Sequence, residues 1–193
     1  MITDQSNRDK DRLIRAFLAI PLDSATLKTV LTIQKRLEPH LPDVRWIDQN
    51  SLHLTLNFFG DITEESLEKV AKIMVSVGSL FMPFTLTLTE TGAFPSVDRA
   101  RVVWLGVKSD KLEELYRALH AELIRAGLPV EHRPFRPHIT IGRSRRQAGH
   151  ILSQREFNVT GSMRVTKLTL YESRLQPTGA EHRPRKTVRL AEP

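Results

Sequence analysis

Two short stretches of the chain share one pattern, in which a histidine and a threonine alternate with aliphatic residues. The first is His53-Leu54-Thr55-Leu56, and the second is His138-Ile139-Thr140-Ile141. Alternate side chains of a β-strand point to the same face. Each histidine therefore shares a face with its threonine, while the aliphatic residues face the core. If the two stretches belong to halves of similar plan, both pairs face one cleft.

This set of side chains suits an in-line displacement at phosphorus. A neutral imidazole can take a proton from the entering oxygen, and a protonated imidazole can give one to the leaving oxygen. Threonine hydroxyls can donate hydrogen bonds to the non-bridging phosphate oxygens, where negative charge must be held. The scheme requires neither a metal ion nor a cofactor.

Other kinds of site fit the sequence less well. One copy of the pattern is weak evidence, because any strand with a polar face could contain it, whereas two copies on apolar strands are a stronger signal. A two-histidine metal site is an alternative, but no third ligand stands at metal-like spacing. The chain has no Gly-x-Ser-x-Gly elbow and no glycine-rich phosphate loop, which disfavours a serine hydrolase and a P-loop protein.

Strand and helix patterns interleave along the chain, which predicts an α+β or α/β fold. Helices are predicted from Ser24 to Leu37, from Thr63 to Val77 and from Asp110 to Gly127. Alternation places Phe58 with the core-facing leucines and Asn57 with His53, and Gly60-Asp61 is expected to end that strand. Strands are predicted over residues 13–20, 44–47, 52–58, 84–89, 101–107, 138–141, 157–165, 167–171 and 187–190.

The composition limits the class of protein. The chain has 193 residues, which favours a single domain, and its net charge is +7. A basic balance favours a polyanionic partner such as nucleic acid, with a merely soluble basic surface as the alternative. No apolar run approaches the roughly 20 residues of a membrane helix, and the polar N-terminus is not a secretory signal. The absence of cysteine excludes disulfides and suits a reducing compartment.

Several basic and aromatic residues are candidates for contact with RNA. Arg143, Arg145 and Arg146 cluster after the second motif and could neutralise backbone phosphates. Arg136 shares strand parity with His138 and could face phosphate or form a salt bridge at the rim. Three aromatic residues could stack a base or belong to the core; they are Trp46, Phe58 and Trp104. The remaining histidines lack a threonine partner and are interpreted as surface or loop residues; they are His40, His120, His132, His150 and His182.

Over about residues 13–190, the chain resembles the two-histidine (2H) phosphoesterase superfamily and, within it, the RNA 2',3'-cyclic phosphodiesterases, also called 2'-5' RNA ligase-like proteins. The resemblance depends on motifs that occur in the family's order. They are Arg15-Ala16-Phe17-Leu18-Ala19-Ile20, Val44-Arg45-Trp46, Leu52-His53-Leu54-Thr55-Leu56, Phe58-Phe59-Gly60, Gly92-Ala93-Phe94-Pro95, Arg101-Val102-Val103-Trp104-Leu105-Gly106, Arg133-Pro134-Phe135-Arg136-Pro137-His138-Ile139-Thr140-Ile141 and Tyr171-Glu172-Ser173-Arg174-Leu175.

The resemblance implies an α+β, bilobed fold with two pseudo-twofold-related lobes of antiparallel sheet plus helices around a central cleft. It implies metal-independent, cofactor-free hydrolysis of RNA 2',3'-cyclic phosphate ends to a 2'-phosphomonoester. His53 would donate a proton to the departing 3' oxygen, and His138 would accept a proton from water. Thr55 and Thr140 would hold the phosphate, and Arg143 matches an arginine that often follows the second motif.

The resemblance also gives expectations about organisation and partners. Residues 12–193 are expected to form a single bilobed domain, and residues 1–11, which lie outside the match, are expected to form a flexible tail. The expected partners are RNA with a 2',3'-cyclic phosphate terminus and, for 2'-5' ligation, tRNA halves. A cytoplasmic monomer without metal or membrane contact is expected. The stretches 144–156 and 179–186 match the family weakly, and the second is interpreted as a loop.

Two other functions stay open at this point. A non-catalytic RNA-binding module would bind RNA in a salt-sensitive way that survives replacement of both motif histidines. A related enzyme with a smaller substrate, such as a cyclic nucleotide or a nucleotide-sugar cyclic phosphate, would prefer mononucleotides to short RNA.

Overall fold

The computed structural model describes residues 12–144, 159–176 and 179–192. The expected N-terminal tail, together with Arg145 and Arg146, lies outside the described residues. The strands are β1 (Ile14–Pro21), β2 (Val44–Trp46), β3 (His53–Ile62), β4 (Phe84–Phe94), β5 (Val102–Lys108), β6 (His138–Ser144), β7 (Ser162–Val165), β8 (Lys167–Gln176) and β9 (Gly179–Arg189). The helices are α1 (Ser24–Leu37), α2 (Glu64–Gly78) and α3 (Asp110–Arg125).

The three helices begin and end close to their predicted limits. α1 and α2 begin at side-chain caps, whereas Ser109 before α3 forms no side-chain cap hydrogen bond. The Asp23 side chain accepts a hydrogen bond from the Thr26 amide at the start of α1. Thr63 does the same for the Ser66 amide at the start of α2. Each helix buries one apolar face against the sheet or a neighbouring helix. The stripe along α3 is the most regular and consists of Leu112, Leu115, Leu119 and Leu123.

All the described strands belong to one antiparallel sheet. Its order is β7-β4-β5-β6-β3-β1-β8-β9. The short strand β2 pairs with the last three residues of β6, Gly142, Arg143 and Ser144. The two motif strands, β3 and β6, are neighbours at the centre of the sheet. Each motif strand belongs to one four-stranded half of the sheet. Each half contains a strand–helix–strand unit, β1-α1-β3 in one half and β5-α3-β6 in the other. The predicted α+β fold with two related lobes is confirmed, and the lobes are joined through a single sheet.

The predicted faces of β3 are wrong beyond Leu56. In the pairing with β1, Ala19 lies opposite Thr55 but Leu18 lies opposite Asn57, so Leu56 forms a bulge. A bulge exchanges the faces of the residues that follow it. Asn57 is therefore only 3% exposed, whereas Phe58 is 40% exposed.

The bulge gives Asn57 a structural role. The side-chain amide of Asn57 binds the loop that precedes β6. Its Nδ2 donates to the Pro129 carbonyl, and its Oδ1 accepts from the Glu131 amide. The expectation that Gly60-Asp61 ends the strand is also wrong. Gly60 adopts a positive φ of 71°, which glycine tolerates without strain, and β3 continues to Ile62.

The predicted loop at residues 179–186 is wrong, because these residues belong to strand β9. β9 pairs with β8 from Gln176 opposite Gly179 to Lys167 opposite Arg189. It lies at the edge of the sheet, where a strand tolerates charged residues and proline. Pro184 lies beside the register shift between Leu170 and Tyr171.

Candidate active site

The two histidine–threonine motifs meet at the centre of the sheet. Leu54 of β3 pairs with Ile139 of β6 in the antiparallel direction, and both side chains are fully buried. This register places His53 beside Thr140 and Thr55 beside His138, so that the histidines lie on a diagonal. Diagonal neighbours of this kind are about 7–8 Å apart. All four polar side chains thus share the face opposite the core.

Main-chain carbonyls fix the tautomers of both motif histidines. The Nδ1 atom of His53 donates to the Ser51 carbonyl at 2.8 Å, and that of His138 donates to the Arg136 carbonyl at 2.6 Å. A carbonyl oxygen can only accept, so the proton of each neutral ring lies on Nδ1. Each Nε2 is then left with a lone pair for proton transfer.

The surroundings of both imidazoles disfavour the charged form. Burial lowers the pKa of His53 from 6.5 to about 4, and electrostatic interactions with His182, Arg143 and His138 add to this. Burial also lowers the pKa of His138, with a smaller contribution from the charge of Arg143. The carbonyl hydrogen bonds act in the opposite direction on both rings. Both histidines of the free protein are therefore neutral at neutral pH.

A cavity of about 530 Å³ opens over part of this face. His53, Thr55, Thr140 and Arg143 line it. His138 does not line the empty cavity. The His138 ring packs edge-on against Phe94, with centroids 5.0 Å apart.

Arg136, a predicted phosphate ligand, is not brought to the cavity. Its side chain is exposed and does not line the cavity. The contribution of Arg136 visible in the structure is its carbonyl oxygen, which orients the His138 ring.

The cavity carries an excess of positive charge. Arg15, Arg45 and Arg143 line it, whereas Asp48 is the one carboxylate among its described lining residues. Arg45 and Arg143 lie directly opposite each other in the pairing of β2 with β6. Within the described part of the chain, none of the three arginines forms an ion pair with a carboxylate. Their charges are available to an anionic ligand.

Two of the three predicted stacking residues, Trp46 and Phe58, line the cavity. The Arg15 guanidinium lies over the Phe58 ring, 4.7 Å from its centroid. Trp104 lies elsewhere, with its ring packed over Gly92 and against Phe94. A flat aromatic surface therefore adjoins the cationic wall of the cavity, and this is an environment that a nucleobase can use.

Comparison with known proteins identifies the family. A family model described as the 2'-5' RNA ligase superfamily matches residues 24–177. The chain belongs to the 2'-5' RNA ligase superfamily. An RNA 2',3'-cyclic phosphodiesterase of Methanothermobacter thermautotrophicus is 32% identical over 183 residues, which cover 92% of this chain and 99% of the relative. An Escherichia coli protein with the same description is 36% identical over 163 residues, covering 82% and 86% of the two chains.

Solved structures agree with the assignment to the 2'-5' RNA ligase superfamily. Escherichia coli LigT in complex with 3'-AMP matches with a TM-score of 0.76 and 29% identity, covering 93% of this chain and 99% of LigT. A Thermus thermophilus protein matches with a TM-score of 0.84 at 24% identity, covering 92% of this chain and 98% of that protein. The second likeness shows the common fold.

His182 of this superfamily member was missed by the sequence analysis, and its interpretation as a surface or loop residue is wrong. It lies on β9, lines the cavity and contacts His53. The sequence carries no signal for the position of His182, because the part of β9 that carries this residue was interpreted as a loop.

The aromatic support under His53 was also missed. The Phe17 ring stacks on the His53 ring at a centroid distance of 4.6 Å, and Tyr171 stacks on Phe17 at 5.1 Å. Ser173, two residues beyond Tyr171 on β8, lines the cavity. Alternation within Arg15-Ala16-Phe17 could have placed Phe17 on the face of Arg15, which also lines the cavity.

Gln34 of α1 holds the wall of the cavity from the core side. The side chain is buried, and its Nε2 donates to the carbonyls of Ile47 and Ile141, both at 2.9 Å. These carbonyls follow Trp46 and Thr140 directly in the chain. The sequence does not reveal this role, because glutamine on a helix is usually exposed.

Within residues 12–144, 159–176 and 179–192, no group of three or more histidine, cysteine, aspartate or glutamate side chains is placed to hold a metal ion. The described helices are also too short or too polar to cross a membrane.

Proposed function

We propose that the protein hydrolyses 2',3'-cyclic phosphate ends of RNA to 2'-phosphomonoesters by acid–base catalysis with two histidines and without a metal ion. The observation that carries the proposal is the diagonal placement of His53 and His138 across Leu54 and Ile139, with each Nδ1 bound to a carbonyl. Membership of the 2'-5' RNA ligase superfamily supports it, as do relatives described as RNA 2',3'-cyclic phosphodiesterases.

The reaction requires one proton acceptor and one proton donor on opposite sides of the phosphorus atom. The Nε2 atom of His138 takes a proton from water as the new oxygen–phosphorus bond forms. The Nε2 atom of His53 gives its proton to the 3' oxygen as that oxygen–phosphorus bond breaks. The product is a 2'-phosphomonoester with a free 3'-hydroxyl. Proton exchange with solvent restores both rings.

Binding of the substrate favours the protonated form of His53. In the empty cavity the pKa of His53 is about 4. The negative charge of a cyclic phosphate stabilises the imidazolium form and raises that pKa. An imidazolium in a site that disfavours its charge gives up its proton readily, as a proton donor to the leaving oxygen must.

Hydroxyl and guanidinium groups hold the phosphate between the two rings. Thr55 and Thr140 are positioned to donate to the non-bridging oxygens, where negative charge accumulates. Arg143 offers a planar guanidinium with no competing carboxylate among the described residues. Arg15 and Arg45 extend the positive surface towards the preceding RNA phosphates, beside the half-buried ring of Trp46 and the exposed ring of Phe58.

The same arrangement would permit 2'-5' ligation. If the 5'-hydroxyl of a second RNA took the position of water, His138 would accept its proton and the two ends would join through the 2' oxygen. tRNA halves that end in a cyclic phosphate and a 5'-hydroxyl have the required chemistry.

The test uses a short RNA that ends in a 2',3'-cyclic phosphate, incubated with purified protein in the presence of a chelator. We expect a 2'-phosphomonoester product. His53→Ala and His138→Ala should each lower the rate at least about 100-fold, the usual size of an acid–base contribution, while circular dichroism reports a retained fold. His132→Gln, at an exposed position outside the cavity, is the matched control.

Four outcomes would contradict this account. Loss of activity in chelator would remove the metal-free claim. Exclusive formation of a 3'-phosphate would reverse the leaving group. Undiminished turnover by both alanine variants, or salt-sensitive RNA binding without turnover by the wild type, would overturn the proposed catalysis.

A further inference from the structure

A third imidazole reaches the cavity beside His53. His182 lies on β9 opposite Ser173 of β8, and both residues line the cavity. The His182 ring meets the His53 ring edge to face, with centroids 5.3 Å apart and planes at 86°. It meets the Phe17 ring in the same way at 4.8 Å and 80°. The hairpin of β8 and β9 therefore brings a nitrogen-bearing ring to the proposed proton donor.

The two nitrogens of His182 have different surroundings. Nδ1 is buried and has no hydrogen-bond partner among the described residues. A buried N–H without an acceptor is rarer in proteins than a buried lone pair without a donor. The proton of the neutral ring is therefore on Nε2, the nitrogen that remains for the cavity. This is the opposite tautomer to that of His53 and His138.

Burial also lowers the pKa of His182, so the ring is neutral at neutral pH. A neutral N–H donor can bind an anionic oxygen without placing a further cation against His53. An arginine or lysine at this position would bind the same oxygen but would make protonation of His53 harder. The chemistry of the position thus suits a ligand oxygen that His53 also approaches.

We propose that His182 is a substrate-binding residue that donates its Nε2 proton to a phosphate oxygen beside His53. This inference deepens the proposed function and rests on it for the identity of the substrate. The ligand class is a phosphate group, present in a cyclic phosphodiester, in a phosphomonoester product and in inorganic phosphate.

Three replacements separate hydrogen bonding from ring packing. In His182→Gln the side-chain amide nitrogen can reach the position of Nε2. In His182→Asn the amide reaches only the position of Nδ1, and His182→Phe retains a ring against Phe17 and His53 without any donor. Binding of inorganic phosphate is measured by calorimetry at neutral pH, and kcat/KM is measured with the cyclic-phosphate RNA.

We expect His182→Phe and His182→Asn to weaken phosphate binding and lower kcat/KM about 10-fold or more, the usual effect of losing a hydrogen bond to a charged group. His182→Gln should remain within about 3-fold of the wild type, because its amide replaces the donor. Equal loss in Gln and Phe variants, or normal phosphate binding by His182→Phe, would overturn the inference. His132→Gln is again the control.

A measurement on the wild type covers the case in which a variant fails to fold. In nitrogen-15 NMR, the His182 ring should carry its proton on Nε2, and that signal should shift when inorganic phosphate is added. A proton on Nδ1, an unmoved signal or an absence of phosphate binding would overturn the inference. Phosphate binding that depends on His182, in a protein without cyclic phosphodiesterase activity, would instead contradict the proposed function alone.

Discussion

At the scale of single residues, the two motif histidines have the same orientation but different neighbours. Each ring is oriented by the carbonyl of the residue two positions earlier. His53 lies against Phe17 and His182, whereas His138 lies against Phe94 and Trp104. The proposed difference between a proton donor and a proton acceptor must therefore come from these neighbours, since the motifs themselves are alike.

The pH dependence of kcat/KM follows from the directions of the two pKa shifts. The active free protein carries one proton on the histidine pair, so activity falls when both rings are protonated and when both are neutral. The pKa of His53 is lowered to about 4, and that of His138 is lowered from 6.5. We expect a bell-shaped kcat/KM profile whose alkaline limb lies below pH 6.5. The profile of kcat should lie at higher pH, because bound phosphate stabilises the imidazolium.

The control for this prediction is Arg143→Gln. After burial, electrostatic interactions with His182, Arg143 and His138 lower the pKa of His53. Removing the charge of Arg143 should move the kcat/KM profile to higher pH, even though phosphate binding weakens. A flat kcat/KM profile between about pH 5 and 8 would contradict a pair of titrating histidines.

At this scale the sequence predicts the motif histidines and threonines but not the residues that pack against them. The histidines and threonines were recognisable because strand alternation acts on neighbouring residues. Arg136 was assigned to the phosphate from parity alone, and parity does not say whether a side chain reaches the cavity. His182 depends on a strand pairing between distant residues, which no local pattern shows.

At the scale of secondary-structure elements, α1 controls the wall of the cavity through one buried side chain. Gln34 donates to two main-chain carbonyls, one after β2 and one within β6. Gln34→Met should retain the packing volume but leave both carbonyls without this donor. We expect a loss of about 1–3 kcal/mol in the free energy of unfolding, measured by urea denaturation. The KM for the cyclic-phosphate RNA should also rise, because Trp46 and Thr140 adjoin these carbonyls.

Gln49→Met is the matched control, because Gln49 is exposed in a short turn before β3. It should change neither stability nor KM. Equal stability of Gln34→Met and the wild type would show that the two hydrogen bonds do not hold the wall.

Elements were predictable where their signals are local. The helices bury regular apolar stripes, and α1 and α2 also begin at side-chain caps, so their limits follow from the sequence. The faces of β3 reverse at Leu56 because of its pairing with β1, which is a tertiary effect. β9 was missed because an edge strand with charges and a proline lacks the alternation of a strand with one buried face.

At the scale of the whole molecule, two related halves form one site. Strands β3 and β6 share one paired position, Leu54 with Ile139, and β2 and Gln34 of α1 make further contacts with β6. Each half contributes one histidine and one threonine to the shared face, so neither half holds a complete set. The fold class followed from the interleaved strand and helix patterns and the two lobes from the family resemblance, whereas the continuity of the sheet through both halves was not predicted.

The most direct test of the central claim is a crystal structure with a nucleoside vanadate. Vanadate in such a complex takes the trigonal-bipyramidal geometry that an in-line displacement passes through. We predict that the Nε2 atoms of His53 and His138 lie on opposite sides of the vanadium, each within about 3 Å of an apical oxygen. A complex in which either imidazole is beyond hydrogen-bond reach, or in which both contact the same apical oxygen, would contradict the account.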